Sequence, residues 1–332
     1  MTTTLLSLAI VIPWGTWIPI AQLIPGPKQS TRTLYITAGN LLFATAALVV
    51  AGSAGQLTFG WKGFWLPLAG GLVWTSGSIC AFRATERIGL ARAAGTWTPL
   101  NIIVAFVFGA LLFDELKGFD AAHFAILGGC LVLVLAGVFL IIGSQSSGST
   151  EAATTPSAPA HEPPPIAAPG TTSTATAVAD PAADTSALAN THRIGMLYAV
   201  GAGLLWGAYF VPAQWAHVPP QLGNFPLAIG MFVAAAALAW RDGGIVRLAP
   251  RPAAVQIASG LLFGVGSVAL LGLVSRVGTG AGFTIAQLSL PVNASIGIWV
   301  FKVPPPASRA ARTALTGILL AGIGGTVIGA LR

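Results

Sequence analysis

Runs of apolar residues, each about 20 residues long, recur along the whole chain and constrain its fold more than any other feature. The hydrocarbon core of a bilayer is about 30 Å thick, a distance that one such helical run can span. Only 8% of the residues are charged, against about 25% in a typical soluble domain. We therefore predict an all-α polytopic membrane protein. Its ten predicted transmembrane helices cover 4–23, 33–52, 63–83, 93–113, 121–143, 194–213, 222–240, 254–274, 280–301 and 311–331.

One segment between the predicted helices has a different composition. Residues 144–191 are rich in Ala, Pro, Thr, Ser and Gly and contain few large apolar side chains. Such a segment cannot bury enough apolar surface to fold, which predicts a disordered linker that acts either as a plain tether or as a partner-binding segment. The linker separates a first five-helix unit over 1–143 from a second over 192–332.

The two units share four short motifs in the same order, which indicates an internal repeat. Because each unit has an odd number of spans, the two units must enter the membrane from opposite sides, and this predicts inverted repeats. Secondary transporters have this architecture, with a midplane site between the repeats, and work by alternating access. The matching pairs are WGTWIPIAQ (14–22) and WGAYFVPAQ (206–214), GLVWTSGS (71–78) and GLLFGVGS (260–267), IGLARAAG (88–95) and VGTGAGFT (277–284), and TPLN (98–101) and LPVN (290–293).

Lysine and arginine are concentrated in the loops after the odd-numbered spans, and the positive-inside rule places these loops in the cytoplasm. The linker follows the fifth span, so it is predicted to be cytoplasmic in a multi-pass protein of the inner cell membrane. The net charge of +7 lies in scattered loop residues rather than in a basic stripe, so no nucleic-acid partner is expected. The first span lacks a positive leader and a cleavage site, which predicts that it is retained.

Prolines and glutamines occupy equivalent places in the first span of each unit. Proline removes a backbone donor and bends a helix, which lipid tolerates only where protein or water surrounds the bend. Pro19 is followed by Gln22, and Pro212 is followed by Gln214. The pattern predicts two kinked helices that line a central cavity; the alternative is a pair of kinks that improve packing, with the amides bonded to neighbouring helices.

The candidate substrate-binding residues are aromatic or neutral polar residues of the spans. A tryptophan face and its N–H suit a ring with an apolar face and a polar rim, such as a sugar, and ordinary packing is the alternative for each tryptophan. Asn101 and Asn293 follow the kink residues Pro99 and Pro291, where each could bond unwound backbone or a neighbouring helix. The candidates are Trp14, Trp17, Gln22, Trp74, Ser78, Trp97, Asn101, Trp206, Tyr209, Gln214, Gln287 and Asn293.

No Asp or Glu lies in the middle of a predicted span. Proton-coupled pumps usually need an intramembrane carboxylate, so the sequence favours facilitated transport of a small neutral polar solute. The candidates for a gate or for proton coupling are Glu86, which could instead balance its arginine neighbours, and Glu115, which could instead be solvated at a helix end. No catalytic set of side chains and no metal-ligand spacing lies at membrane depth. We therefore expect neither an enzyme nor a cofactor, and a polytopic membrane enzyme remains only a remote alternative.

Together these motifs resemble the drug/metabolite transporter superfamily, and residues 70–115 resemble its glucose/ribose porter family. The resemblance is carried by GGLVW at the start of that run, by IGLARAAG (88–95), by FDE (113–115), and by WGTWIP (14–19) in the first span. It implies ten spans in two inverted halves and uptake of a sugar, with a proton as the candidate coupling ion. Export of metabolites or amphipathic compounds, as in other branches, is the alternative, and the sequence leaves the oligomeric state open.

Overall fold

The computed structural model describes residues 2–24, 27–53, 60–88, 90–154, 181–302 and 305–330. Every regular element in these ranges is an α-helix. The helices are α1 (Thr3–Gln22), α2 (Gln29–Ser53), α3 (Trp61–Ile88), α4 (Leu90–Leu112), α5 (Ala121–Thr154), α6 (Pro181–Ala208), α7 (Val211–Trp215), α8 (Pro220–Arg241), α9 (Pro250–Val277), α10 (Thr279–Ala286), α11 (Ser289–Trp299) and α12 (Arg309–Ala330).

Eight helical stretches within the described ranges are long and apolar enough to cross a membrane. Two of them join neighbouring helices: one runs from α6 through α7, and the other runs from α10 through α11. A shorter apolar helix, Thr96–Leu112, lies within α4. The prediction of an all-α, polytopic membrane protein is therefore confirmed. The count of ten spans and the inverted repeat stay predictions.

The helices around the linker extend further than the composition predicted. α5 continues to Thr154 and α6 begins at Pro181, so both ends of the predicted 144–191 segment are helical. Alanine has the highest intrinsic helix propensity, and it is frequent at both of these ends. The parts of the two helices that can cross a membrane are Ala121–Ser144 and Asn190–Trp215. The remaining linker residues, 155–180, lie outside the described residues.

The helices pack in two groups, and each group draws on both sides of the linker. In the first bundle, α9 packs along α1 and α2, and α11 packs along α1. In the second bundle, α3 packs along α6 and α8, and α4 packs along α6. The bundles meet where α2 contacts α8 and where α4 contacts α10, and α5 packs against α12. The two sequence units are therefore interleaved rather than folded side by side.

Pairs of glycines permit the closest helix crossing in each bundle. A Cβ atom on Gly39 of α2 would lie 2.2 Å from a carbonyl oxygen of α9 and 2.9 Å from the Cα of Gly260. A Cβ atom on Gly230 of α8 would lie 2.1 Å from a carbonyl oxygen of α3 and 3.2 Å from the Cα of Gly71. Gly71 and Gly260 are the first residues of the matching GLVWTSGS and GLLFGVGS motifs, so the repeated motif builds the same crossing twice.

Large apolar side chains are exposed on the outer faces of the helices. Leu111 is 76% exposed, Val132 is 65% exposed and Leu319 is 66% exposed. An exposed apolar surface of this kind has its favourable environment in the acyl chains of a bilayer. Exposed tryptophans such as Trp61 and Trp240 lie near helix ends, where the aromatic belt of a membrane protein is expected.

We expect Gly39→Ala to destabilise the protein by about 1–3 kcal/mol, because the new methyl group would overlap the backbone of α9. Gly128→Ala in α5 is the matched control, since nothing lies within 4 Å of its ideal Cβ position. Thermal unfolding of the two variants in the same detergent compares them. Equal unfolding temperatures for Gly39→Ala and Gly128→Ala would show that the close crossing is not required.

Candidate substrate site and its closure

Rings from five helices form an aromatic network that is centred between α3 and α9. Phe263 of α9 lies at its centre, with its ring centroid 5.7 Å from Trp14 and 5.2 Å from Trp17, both of α1. The Trp14 ring is stacked on Phe263 at an interplanar angle of 4°. Trp74 of α3 lies 5.1 Å from Phe263 across the boundary between the two bundles. Three predicted tryptophans therefore meet on one phenylalanine.

The aromatic network continues into the second bundle through Trp206 and Trp97. Trp206 of α6 packs edge-to-face against Trp97 of α4, with 5.4 Å between ring centroids. The Trp206 Nε1–H also donates to the carbonyl oxygen of Trp74, at 3.1 Å. All five tryptophans that the sequence indicated as site residues thus belong to one connected network, which consists of Trp14, Trp17, Trp74, Trp97, Trp206 and Phe263.

Two backbone carbonyl groups anchor the leading tryptophan of each unit. The Trp74 oxygen accepts hydrogen bonds from Trp206 Nε1 and, at 3.1 Å, from Ser78 Oγ. The Phe263 oxygen accepts from Trp14 Nε1 at 3.3 Å and from Ser267 Oγ at 2.9 Å. These groups occupy matching motif positions, so the same local device occurs twice. In this conformation the indole N–H groups of Trp14 and Trp206 are bonded to the protein.

Glycine makes room for each anchored tryptophan. A Cβ atom on Gly77 would lie 2.7 Å from Cδ1 of Trp206, and a Cβ atom on Gly266 would lie 2.2 Å from Cδ1 of Trp14. Both glycines stand three residues after the carbonyl that binds the corresponding indole. The pyrrole edge of each indole therefore lies directly against the backbone of the helix that it contacts.

Phe263 is the residue that the sequence analysis missed. It was not singled out because phenylalanine is ordinary in an apolar run and has no polar group. The signal was nevertheless present, because the alignment of GLVWTSGS with GLLFGVGS pairs Phe263 with Trp74. A repeat-based prediction would have included both members of the pair.

The candidate polar side chains differ in whether the fold already satisfies them. Asn101 is buried, and with its amide nitrogen facing the preceding turn it donates to the carbonyl oxygens of Trp97 (2.7 Å) and Thr98 (3.0 Å). Gln287 and Asn293 are only partly buried, and neither side chain has a hydrogen bond to the described part of the chain. These two amides have donors and acceptors to offer to a solute.

Two helices are interrupted next to candidate site residues. Tyr209 and Phe210 form a turn between α6 and α7, and Gln287 and Leu288 form a turn between α10 and α11. Tyr209 is 3% exposed, and its hydroxyl group has no hydrogen-bond partner among the described residues. A helix break frees backbone groups from the regular ladder and is tolerated at membrane depth where protein or a cavity surrounds it.

The four kink prolines have two different settings. Pro212 is in the first turn of α7 and Pro291 is near the start of α11, so both directly follow a break. Pro19 and Pro99 lie inside the continuous helices α1 and α4. The prolines of the second unit are therefore associated with interruptions of the helix, whereas those of the first unit are not.

Three segments are joined by a group that we call the Glu115 clasp, formed by Glu115, Gln214, Thr279 and Gly280. The Glu115 carboxylate accepts hydrogen bonds from the backbone N–H groups of Thr279 and, at 3.2 Å, of Gly280. Thr279 Oγ1 donates to the side-chain oxygen of Gln214 at 2.7 Å. A carboxylate is favoured at a helix N-terminus, here that of α10. The clasp fastens the ends of α4 and α7 to the start of α10.

The equivalent position in the first unit is not fastened in this way. Gln22, which matches Gln214, is the last residue of α1, and its exposed side chain has no hydrogen bond to a described residue. Glu86 is exposed in the last turn of α3, away from the aromatic network. The structure thus brings Gln214 and Glu115 together, and it leaves Gln22 and Glu86 outside that group.

Within the described residues, no cluster of three or more His, Cys, Asp or Glu side chains could hold a metal ion. The side chains that meet at the network and the clasp are aromatic rings, amides, hydroxyl groups and one carboxylate. This chemistry can bind a neutral polar molecule through ring faces and hydrogen bonds.

Comparison with known proteins gives a consistent result. The model of a family described as "Sugar transport protein" matches residues 5–159 and 172–331. A "Putative sugar uptake protein" of Bacillus cereus is 24% identical over 299 residues, which cover 90% of this chain and 88% of that protein. A "Putative ribose uptake protein" of Lactiplantibacillus plantarum is 27% identical over 154 residues, which cover 46% of this chain and 50% of that protein.

A solved crystal structure shares the fold of the chain. Its TM-score is 0.65 at 17% sequence identity, and the alignment covers 99% of this chain and 97% of the other. At this identity the likeness concerns the arrangement of helices and not the chemistry of the site.

We expect Phe263→Ala to lower the free energy of unfolding by about 3–5 kcal/mol, because three indole rings lose their shared contact. Phe139→Ala is the control, since Phe139 is 53% exposed on the surface of α5. Unfolding in mixed detergent, followed by circular dichroism, measures both variants. A similar loss for the two would contradict a central role of Phe263.

Proposed function

The chain belongs to the sugar transport protein family, and from this premise we propose that it carries a sugar across the membrane by alternating access at a site between its two halves. The observation that carries the proposal is the aromatic network, which lies at the boundary between the two bundles, with α11 packed against the α1 turn that carries Trp14. A sugar ring has apolar C–H faces and a rim of hydroxyl groups, so indole faces and amides together suit it. The chain is a transporter and not an enzyme.

The proposed architecture has ten spans in two inverted repeats. The eight membrane-crossing stretches are completed by α4 and α12, and the paired helices α6–α7 and α10–α11 each count as one span. The repeat is supported by the duplicated anchoring of Trp14 and Trp206 and by the duplicated glycine crossings. Five spans in each repeat give the two units opposite orientations, with the linker, proposed to be cytoplasmic, on one side of an inner membrane.

The proposed binding residues fall into three groups. The first is the set of ring faces of the network. The second comprises Gln287 and Asn293, whose amides have no partner among the described residues and can bond hydroxyl groups. The third comprises groups that the fold satisfies or buries in this conformation, and we propose that they become available when the bundles move. These are Ser78, Asn101, Tyr209 and Gln214; the exposed Gln22, which has no hydrogen bond to a described residue, belongs with the second group.

The proposed motion is a rotation of the first bundle against the second. Trp74 and Phe263 meet across the boundary of the bundles, whereas Gly39–Gly260 and Gly71–Gly230 lie within them. The boundary contact can therefore change while the crossings stay intact. The Glu115 clasp joins α4 and α7 of the second bundle to α10, so we propose that it is the gate on the side of the membrane opposite the linker.

Uptake of radiolabelled glucose and ribose into proteoliposomes tests the function. We expect saturable uptake that an imposed pH gradient does not change, because the site residues are neutral. We also expect Asn293→Ala to raise the KM about 2–10-fold, the equivalent of one hydrogen bond, with little change in unfolding temperature. Ser76→Ala is the control, because Ser76 is exposed and bonds only its own helix. The absence of uptake for every sugar tested would refute the proposal, and dependence on pH would assign the proton as coupling ion.

We expect Glu115→Gln to open the gate on the clasp side. The glutamine amide lacks the negative charge with which the Glu115 carboxylate strengthens its hydrogen bonds to the α10 backbone. Each such charge-assisted bond contributes about 1.5–3 kcal/mol. A Gln287→Cys reporter, in a background with Cys80→Ser and Cys130→Ser, should then react at least tenfold faster with a water-soluble thiol reagent added on the clasp side.

The matched control for the gate is Asp114→Asn. Asp114 precedes Glu115 and pairs with Lys117 at 3.3 Å, and both of these side chains are more than 70% exposed. Removing its charge should leave the reactivity of the reporter unchanged. Equal labelling rates in the Glu115→Gln and Asp114→Asn backgrounds would argue against a gate at Glu115.

A further inference from the structure

Two arginines converge on one tyrosine where α3 ends beside α6. The guanidinium carbon of Arg83 lies 5.6 Å from the ring centroid of Tyr198, and that of Arg87 lies 5.1 Å from it. Arg83 Nη1 donates to the Tyr198 hydroxyl oxygen at 3.0 Å, and Arg87 Nη1 donates to the Arg83 carbonyl oxygen at 3.1 Å. Both guanidinium groups are therefore held above the same ring.

The tyrosine ring is a fixed platform because its surroundings are tightly packed. Tyr198 packs against a buried cluster that includes Ala84, Ile88 and Ala199. A Cβ atom on Gly195 would lie only 2.9 Å from the Cβ of Arg87, so α6 approaches the last turn of α3 closely. The positions of the two arginines are thus set by the helix crossing before any ligand binds.

Neither guanidinium group forms an ion pair within the described part of the chain. The ion pairs found in the described part of the chain are Lys117–Asp114 and His123–Asp120, both far along the sequence from this place. Glu86 lies on the same helix end with an exposed side chain, beyond ion-pair distance. Each guanidinium group has five N–H donors, and each uses one of them on the protein. Glu86 interacts electrostatically with Arg83 and offsets one of the two positive charges, so the remaining donors and a net positive charge are available to an anion.

The depth of the arginines in the membrane indicates where this anion comes from. Trp61 and Trp65, which are 75% and 46% exposed, mark the interface at the start of α3. At 1.5 Å per residue, Arg83 lies about 27 Å along the helix from Trp65, and Arg87 lies about 33 Å from it. These distances match the hydrocarbon thickness of about 30 Å. The arginines are thus at the level of the headgroups in the opposite leaflet, on the linker side.

We propose that Arg83, Arg87 and Tyr198 form a binding site for the phosphate of an anionic phospholipid in the leaflet on the linker side. Guanidinium groups bind phosphate oxygens through paired N–H donors, and the tyrosine ring keeps the two groups together. The acyl chains of the lipid would lie along the exposed apolar surface of the helices. The proposal requires that α3 spans the membrane, and it does not depend on the transported solute.

Native mass spectrometry of the full-length protein tests the site. The protein is released from micelles that contain phosphatidylglycerol or, for comparison, phosphatidylcholine. We expect retention of phosphatidylglycerol, and we expect the double variant Arg83→Gln/Arg87→Gln to bind it about 25-fold more weakly, at about fivefold for each arginine. The control is Arg241→Gln/Arg247→Gln, which removes two exposed arginines between α8 and α9 and should leave binding unchanged.

Two further measurements are needed. Competition with phosphate distinguishes a lipid site from a site for a soluble anion, and a lysine double variant distinguishes it from a general effect of charge. The double variant Arg83→Lys/Arg87→Lys keeps the charge and loses the paired donors, so it should bind with intermediate strength. Inorganic phosphate at millimolar concentration should not displace the lipid. Displacement by phosphate would identify a site for a soluble anion and overturn the proposal. Equal lipid retention by the wild-type protein and Arg83→Gln/Arg87→Gln would overturn it as well. Unfolding temperatures measured in neutral detergent exclude misfolding of the variants.

Discussion

The bundle is held together by contacts of the helix backbone, because lipid removes the force that assembles soluble proteins. Acyl chains are as apolar as the helix surfaces, so helices in a bilayer associate through close packing and hydrogen bonds. The glycine pairs Gly39–Gly260 and Gly71–Gly230 bring backbones into direct contact. The carbonyl oxygens of Trp74 and Phe263 each accept two side-chain hydrogen bonds, which add further links between the helices. These contacts fix the places of the Trp14 and Trp206 rings in the network.

This dependence also explains why the site lies where it does. Trp74 and Phe263 each carry two tasks, since the carbonyl group anchors an indole within its own bundle while the ring meets the other bundle. The carbonyl bonds link helices within each bundle, and the ring contact joins the two bundles beside the packing of α2 on α8. In the proposed cycle, a polar ring that inserts between Trp74 and Phe263 would loosen this boundary without breaking the carbonyl bonds.

The sequence predicted the fold class and most of the network, because apolar run length and motif repetition have direct physical causes. Five network tryptophans were found since tryptophan at membrane depth is unusual. Phe263 was missed because a phenylalanine is ordinary in an apolar run, and only its contacts with three tryptophans make it central. The clasp was only half predicted: Glu115 and Gln214 were identified separately, but the bond through Thr279 depends on how α7 meets α10. Likewise, the continuity of α1 through Pro19 depends on neighbouring helices and cannot be read from the proline.

The difference between the two ends of the molecule has an energetic consequence. At one end, a carboxylate bonded to two N–H groups of α10 and a Gln214–Thr279 bond link α10 to the ends of α4 and α7. At the matching end of α1, Gln22 has no such bond among the described residues. Two conformations of a transporter must differ by only a few kcal/mol if a solute is to shift their populations. A clasp of three hydrogen bonds is of that order, and a sugar with several hydroxyl groups makes enough bonds to offset its opening. In the proposed cycle, the hydrogen bonds of a neutral solute are therefore sufficient to offset the opening of the clasp.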